Sequence, residues 1–246
     1  MVDNIQGRYA GKLDEMTRVA TESLSSLRYG IHHGEPLARY ALHIRNSLLD
    51  LTSSRWLLRF TDSAEEYLFD GTFAAARNHL YKHVPGVLDY IVMRAADSGL
   101  GTVIRLAEMV CGGEIPDPVW HDPYITSLTR MRELCMEICS LHNDLFSYEK
   151  EVLWNHNTNN LVHIVMVNHE IGFLESSRLW IDMINERYAE FLRMAASVPS
   201  FGREVDGRLR RFVAGMNDWI EGSAAWEIMS GRYSSPTSPF LELVRP

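Results

Sequence analysis

Three oxygen-bearing side chains, Asn143, Ser147 and Glu151, recur at intervals of four residues in one stretch of the sequence. If that stretch is helical, positions four apart lie on one face of the helix. An amide carbonyl, a hydroxyl and a carboxylate are oxygen ligands that suit Mg²⁺, which keeps several waters and accepts phosphate oxygens as further ligands. The spacing therefore predicts a magnesium site, and the adjacent Lys150 is placed to contact the same phosphates.

The same residues could instead form a solvated helix face that is held by polar pairs four residues apart. Asn and Ser are poor choices for such a face, because both residue types weaken a helix interior. The three residues also lie inside an apolar stripe rather than opposite it. The metal site is therefore the interpretation that we favour.

The helix that must carry this site is predicted over 127–151, where apolar residues recur at intervals of three and four. Similar stripes cover 12–30, 36–60, 64–82, 84–111, 160–195 and 203–230, with Gly and Pro residues between them. The β-branched run 161–167 could be read as a strand, but it has no pairing partner of similar character. The sequence therefore predicts an all-α bundle of about eight to ten helices, with 233–246 as a loose polar tail.

The chain has 246 residues and a net charge of −8, and the absence of a Lys/Arg run argues against a nucleic-acid partner. Its three cysteines, Cys111, Cys135 and Cys139, lack the spacing of a disulfide framework. A metal pair at Cys135 and Cys139 is conceivable, but no His or Cys stands at zinc spacing nearby, which favours buried thiols. No apolar run reaches the roughly 18 residues that span a bilayer, and the N-terminus lacks a signal-peptide core. We expect one cytoplasmic, reduced domain over 1–246 with no membrane insertion.

Two further segments accompany the oxygen stripe. Upstream, 90–99 reads Tyr-Ile-Val-Met-Arg-Ala-Ala-Asp-Ser-Gly, and downstream, 226–233 reads Trp-Glu-Ile-Met-Ser-Gly-Arg-Tyr. Together with the stretch from Asn143 to Glu151, they resemble the class I terpene synthases of microbes. The stretch is similar to the NSE motif, (N/D)D-x-x-(S/T)-x-x-x-E, and the upstream segment is similar to the helix break that holds a diphosphate-sensing Arg. The resemblance covers the chain from about residue 36 onward and implies the all-α class I terpene synthase fold.

This resemblance implies a Mg²⁺-dependent terpene synthase or cyclase that ionises an isoprenyl diphosphate, with farnesyl diphosphate as the first expectation and Mn²⁺ as an alternative cation. The metal ligands would be Asn143, Ser147 and Glu151. The resemblance gives catalytic roles to a group of five residues, Arg94, Asp97, Ser98, Arg232 and Tyr233. It gives substrate contacts to Lys150, Arg94, Arg232, Tyr233, Trp226 and Phe146.

Trp219, Tyr90 and Phe73 are further candidates for an aromatic lining, although core packing explains each aromatic residue equally well. Because one diphosphate must touch all the cationic residues, Arg94 and Arg232 should face the same cavity as the oxygen stripe. We expect any metal that binds without diphosphate to lie at this stripe.

A second metal motif of the family, D-D-x-x-D/E, has no complete counterpart in this chain. Its expected position falls near Asp3-Asn4, which leaves Asp3 as a weak candidate ligand; a frayed terminus or a helix N-cap also explains this residue. The chain thus begins about where the Asp-rich helix of the family lies, and the preceding helices are expected to be missing.

An active synthase, a truncated form and a non-catalytic homologue that binds only diphosphate and Mg²⁺ are therefore all open. Missing helices would leave apolar surface that favours a homo-oligomer. An isoprenyl-chain-elongating transferase is disfavoured, since it needs two Asp-rich motifs.

Overall fold

The computed structural model describes residues 13–120, 126–240 and 243–244, and these ranges contain helices and no strand. The α-helices are α1 (Leu13–Tyr29), α2 (Pro36–Leu49), α3 (Ser54–Glu65), α4 (Phe73–Tyr81), α5 (Val87–Asp97), α6 (Leu100–Val110), α7 (Asp117–Trp120), α8 (Thr126–Tyr148), α9 (Leu161–His169), α10 (Phe173–Ala196) and α11 (Arg203–Met229). Two π-helical segments continue α-helices: π1 (Glu66–Thr72) joins α3 to α4, and π2 (Glu149–Trp154) extends α8. The predicted all-α architecture is confirmed.

The described ranges contain eleven α-helices, one more than the upper end of the predicted eight to ten, because three of the seven predicted stripes are interrupted and α7 lies outside all of them. Within the stripe 36–60, α2 ends at Leu49 and α3 begins at Ser54. Ser53 caps α3, because its hydroxyl accepts a hydrogen bond from the Trp56 N–H at 3.1 Å. The stripe 84–111 breaks at Gly99, which has a φ of 70°, a conformation that glycine adopts without steric cost. The stripe 160–195 breaks between Glu170 and Gly172.

The run 161–167 is helical, as the predicted stripe 160–195 requires, and the rejection of a strand at this position is confirmed. The Asn160 side chain caps α9 by accepting a hydrogen bond from the Val162 N–H at 3.1 Å. Of the four β-branched side chains in this run, Val162, Ile164 and Val165 are buried in the main apolar core, where their packing outweighs a modest loss of helix propensity, and Val167 is exposed.

Helix α8 lies at the centre of the molecule and packs against α5, α9, α10 and α11. Its apolar face is fully buried at Leu128, Met131, Leu134, Ile138 and Leu141. Burial of such a side chain stabilises a fold by about 1.5–3 kcal/mol, so this face fixes the position of α8. Two smaller apolar clusters hold α1 against α4 and α1 against α3.

Residues 230–240 return across the end of α8, and the expectation of a loose tail is wrong for this part. The hydroxyls of Ser235 and Thr237 both donate to the buried carboxylate of Glu149 in π2. The Phe240 ring packs edge-on against Phe146, with ring centroids 5.9 Å apart. The polar residues that suggested a loose segment are therefore the ones that attach it.

Among the helices of the described ranges, none is both long and apolar enough to cross a membrane. Cys135 and Cys139 are buried with unoxidised thiols, as expected for core residues.

Gly71 in π1 lies directly against the end of α5. A Cβ atom at this position would come within 2.3 Å of the Asp97 backbone nitrogen and 2.5 Å of its Cα. A backbone atom cannot move aside as a flexible side chain can, so a larger residue would separate π1 from α5. Glycine at this position therefore sets how closely π1 approaches the break between α5 and α6.

We expect Gly71→Ala to lower the free energy of unfolding by about 3 kcal/mol, because the added methyl group overlaps backbone. The matched control is Gly222→Ala in α11, where a Cβ atom meets nothing within 4 Å. That control should be neutral or stabilising by up to about 1 kcal/mol. Urea unfolding monitored by circular dichroism measures both variants, and equal stabilities would contradict the packing argument.

Candidate active site

The ends of α5, α8 and α11 meet around an open cavity of about 330 Å³. Most residues that the sequence singled out line it: Arg94, Asp97, Ser98, Asn143, Glu151, Trp219, Trp226, Arg232 and Tyr233. Arg94, Arg232, Asn143 and Glu151 therefore face one cavity, as expected, whereas Ser147 of the oxygen stripe is not among the residues that line it. Asp3 lies outside the described residues.

The oxygen stripe runs from the last turns of α8 into π2. Asn143 and Glu151 line the cavity. Ser147 lies between them, fully buried, and its Oγ has no hydrogen-bond partner within the described ranges. A buried hydroxyl without a partner is costly unless something else satisfies it.

The donor set fits a small hard cation, since it consists of an amide oxygen, a hydroxyl and a carboxylate. The part of the chain that is described holds no cluster of three or more His, Cys, Asp or Glu side chains placed for a metal. A metal in this cavity would therefore depend on Asn143 and Ser147 as well as on Glu151.

The amide of Asn143 connects three parts of the chain. Its Oδ1 accepts a hydrogen bond from Arg94 Nη2 at 2.9 Å. Its Nδ2 donates to the Tyr233 hydroxyl at 2.7 Å and to Glu227 Oε1 at 3.1 Å. These bonds orient the amide and bring α5, α8 and the segment after α11 to one point.

Asp144 contacts the same arginine at its Nε atom. Arg94 Nε donates to Asp144 Oδ1 at 2.7 Å, and the Tyr90 hydroxyl donates to Asp144 Oδ2 at 2.8 Å. Burial by itself lowers the pKa of Arg94, but the charges of its neighbours, with that of Asp144 the largest, together outweigh burial, and the pKa lies well above its usual value. Burial and then the Asp144 charge raise the pKa of Tyr90 well above its usual value. Both side chains therefore keep their protons at neutral pH.

Asp97 and Ser98 form the cavity wall at the break between α5 and α6. The Ser98 hydroxyl donates to the Ala95 carbonyl at 2.6 Å and accepts from the Leu100 N–H at 3.1 Å. With these two bonds, one side chain satisfies backbone groups on both sides of the break. These two bonds stabilise the backbone between α5 and α6, where regular helical hydrogen bonding is interrupted.

Tyr233 is buried, and two cationic side chains lie near its ring. The Arg232 Cζ lies 5.5 Å and the Lys150 Nζ lies 5.9 Å from the ring centroid, both within the range of a cation–π contact. Trp226 packs edge-on against the same ring at 6.2 Å. Lys150 is therefore not among the residues that line the cavity, but it lies next to Tyr233, which lines the cavity together with Trp226.

Phe146, Tyr90 and Phe73 do not line the cavity, so their interpretation as lining residues is wrong. Phe146 precedes Ser147 by one position and therefore points to another side of α8, against Phe240. Tyr90 is fully buried behind Arg94, and Phe73 stacks on Phe69 near α1 at 5.1 Å.

The sequence interpretation missed Asp144 and Glu227 as parts of the site. Glu227 is buried, its Oε2 has no partner within the described ranges, and burial raises its pKa to about 8. The signals were present, since Asp144 follows a predicted ligand and Glu227 is an acid in the apolar last turns of α11. The residues Leu100, Cys139, Ser140, Asn157, Asn159 and Ser223 complete the cavity lining.

A family model described as "Terpene synthase family 2, C-terminal metal binding" matches residues 1–190. Among curated relatives, sesquiterpene synthase 3 of Postia placenta is 31% identical over 202 residues, which is 82% of this chain and 54% of the relative. The 4-epi-cubebol synthase of Streptosporangium roseum, described as (2E,6E)-farnesyl diphosphate cyclizing, is 26% identical over 211 residues, covering 86% of this chain and 62% of the relative. The chain thus spans little more than half the length of these relatives.

Solved structures show the same fold. Linalool/nerolidol synthase from Streptomyces clavuligerus, in complex with 2-fluorogeranyl diphosphate, superposes with a TM-score of 0.78 at 20% identity, covering 92% of this chain and 78% of that one. Wild-type cucumene synthase gives a TM-score of 0.75 at 23% identity, covering 93% and 75%. Together with the family match over 190 of 246 residues, these findings establish that the chain belongs to the class I terpene synthase family.

Proposed function

We propose that this chain carries the metal- and diphosphate-binding part of a terpene synthase that ionises an isoprenyl diphosphate, with farnesyl diphosphate as the first choice. The observation that carries the proposal is the Asn143 amide, which joins Arg94 and Tyr233 at the wall of a cavity that Glu151 also lines. Curated relatives named as sesquiterpene and farnesyl diphosphate-cyclising synthases support this choice of substrate.

Asn143, Ser147 and Glu151 would hold Mg²⁺, and Mn²⁺ could use the same oxygen donors. When bound, the cation supplies positive charge that takes up the negative charge developing on the leaving diphosphate. The unpartnered Ser147 hydroxyl supports this assignment, because a ligand role would satisfy it.

Arg94, Arg232, Lys150 and Tyr233 would bind the diphosphate oxygens. Arginine suits this role, since its planar guanidinium offers several N–H donors and keeps its charge. In the proposed reaction the allylic C–O bond breaks, and diphosphate leaves with the bonding electron pair. Donors already oriented by Asn143 and Tyr233 stabilise that charge without further reorganisation.

Trp219 and Trp226 would face the carbon cation that remains. Aromatic faces stabilise a cation and exclude the water that would quench it. Both indoles are partly exposed and both line the cavity. Asp97 and Ser98 would couple diphosphate binding to ionisation, because they sit at the α5–α6 break three and four residues after Arg94.

We further propose that residues 1–246 form a single domain. The main apolar core includes residues from α4 through α11, and the two smaller apolar clusters join α1 to α4 and α1 to α3.

We expect Glu151→Gln to reduce turnover of farnesyl diphosphate by at least about a hundredfold, because the neutral amide loses the only carboxylate of the predicted ligand set. The control is Glu186→Gln, which removes an exposed carboxylate on α10 and should retain full activity. Purified protein is incubated with substrate and Mg²⁺, and hydrocarbon or alcohol products are quantified by gas chromatography.

Unchanged turnover in Glu151→Gln would refute the metal assignment. If the parent protein binds inorganic diphosphate with Mg²⁺ but forms no product, the non-catalytic alternative replaces the synthase proposal.

Glu227 generates a prediction about pH. Its pKa of about 8 exceeds the ordinary value of 4.5, so between these pH values the folded protein holds a proton that the unfolded chain has released. Stability conferred by that proton falls as pH rises through this window. Glu227→Gln cannot titrate, and without added metal its melting temperature relative to the parent should rise from pH 5 to pH 8.

Glu221→Gln on the same helix is the control of opposite sign. Hydrogen bonds from Asn217 and Tyr188 lower the pKa of Glu221, so this variant should gain nothing at pH 8. A Glu227→Gln melting difference that is the same at pH 5 and pH 8 would contradict a raised pKa.

A further inference from the structure

Asp144 directly follows the predicted metal ligand Asn143 in the sequence, and the proposed site leaves its carboxylate without a role. It is fully buried and is absent from the cavity lining. Its two carboxylate oxygens accept three hydrogen bonds: from Arg94 Nε at 2.7 Å, from the Tyr90 hydroxyl at 2.8 Å and from the Leu161 N–H at 2.9 Å. A carboxylate with this many donors has little capacity left for a cation.

We propose that Asp144 is a positioning residue that holds Arg94 by its Nε so that the terminal nitrogens of the guanidinium point into the diphosphate cavity. The proposal deepens the proposed function and rests on it. The guanidinium is planar, so a bond at Nε together with the bond from Nη2 to Asn143 at 2.9 Å fixes both its plane and its rotation.

The carboxylate itself is fixed from three directions. Tyr90 comes from α5 and Leu161 is the first residue of α9, whose N-terminal N–H groups favour a negative charge. The Asp144 carbonyl accepts a further bond from the Asn160 side chain at 2.6 Å. Through Asp144, contacts from α5, α8 and α9 together fix the orientation of the Arg94 guanidinium. Such support suits a hydrogen-bond donor that must be oriented before the substrate binds.

An effect of Asp144 through its charge and an effect through its bond to Arg94 predict opposite changes in diphosphate binding when Asp144 is replaced. Removal of a negative charge next to Arg94 should strengthen binding of an anion if Asp144 acted only through charge. Loss of the orienting bond should weaken it instead. Asp144→Asn keeps the shape of the side chain, removes the charge and weakens the bond to Arg94.

The experiment measures binding of inorganic diphosphate in the presence of Mg²⁺ by isothermal titration calorimetry, on the full chain. We expect Asp144→Asn to weaken binding by about tenfold to a hundredfold, the loss that accompanies a charge-assisted hydrogen bond. The matched control is Tyr90→Phe, which removes another bond from the same carboxylate and leaves Arg94 Nε in place. It should lose stability but bind diphosphate within about threefold of the parent.

Either of two outcomes overturns the proposal: diphosphate binding by Asp144→Asn that is as tight as or tighter than that of the parent protein, or an equal loss of binding in Tyr90→Phe, which would show a structural role only. No binding by the parent protein would refute the proposed function instead, so the two failures are distinguishable.

A measurement on the parent protein covers the case in which Asp144→Asn does not fold. In protein labelled with ¹⁵N-arginine, Arg94 should give an Nε–H resonance that exchanges slowly with water and is absent from Arg94→Lys. This resonance should persist when Mg²⁺ and diphosphate are added. Its absence, or its loss on addition of diphosphate, would contradict a permanent bond to Asp144.

Discussion

The buried pair of Arg94 and Asp144 constrains the whole site, because neither charge could remain in the interior without the other. Removal of one partner from such a pair typically costs about 3–5 kcal/mol, since the remaining charge is left uncompensated. The two residues lie on α5 and α8, and Asp144 also receives the first N–H of α9. Three helices, α5, α8 and α9, therefore meet at this point, beside the cavity that lies between the ends of α5, α8 and α11.

Hydrogen bonds of polar side chains connect this pair to the rest of the site. Asn143, the residue before Asp144 on α8, accepts a hydrogen bond from Arg94 on its amide oxygen and donates hydrogen bonds to Tyr233 and Glu227 from its amide nitrogen. The segment after α11 is tied to π2 through Glu149. The cavity is thus organised before a ligand enters, as expected for catalysis by preorganised charge.

Periodicity predicted most of the helices, and the resemblance of three segments to a known family predicted that Arg94, Arg232 and the stripe residues Asn143 and Glu151 face one cavity. Tertiary contacts decided what periodicity and resemblance could not. The polar segment 234–240 became ordered through the partner that its hydroxyls found in Glu149. The roles of Asp144 and Glu227 depend on which side chains face them across helices, and spacing along one helix carries no such information.

The π-helical character of π2 changes how Asn143 and Glu151 align. In a regular α-helix each residue turns by roughly 100°, so eight residues overshoot two full turns by roughly 80°. A π-helical turn contains more residues than an α-helical one, so each residue advances by a smaller angle. The transition to π2 at Glu149 therefore reduces the overshoot and brings Glu151 closer to the line of Asn143. The direction in which the Glu151 side chain leaves the helix axis is therefore set by the local winding of the backbone. A substitution that restored a regular α-helix here would turn the Glu151 carboxylate away from the line of Asn143 while leaving every residue of the motif unchanged.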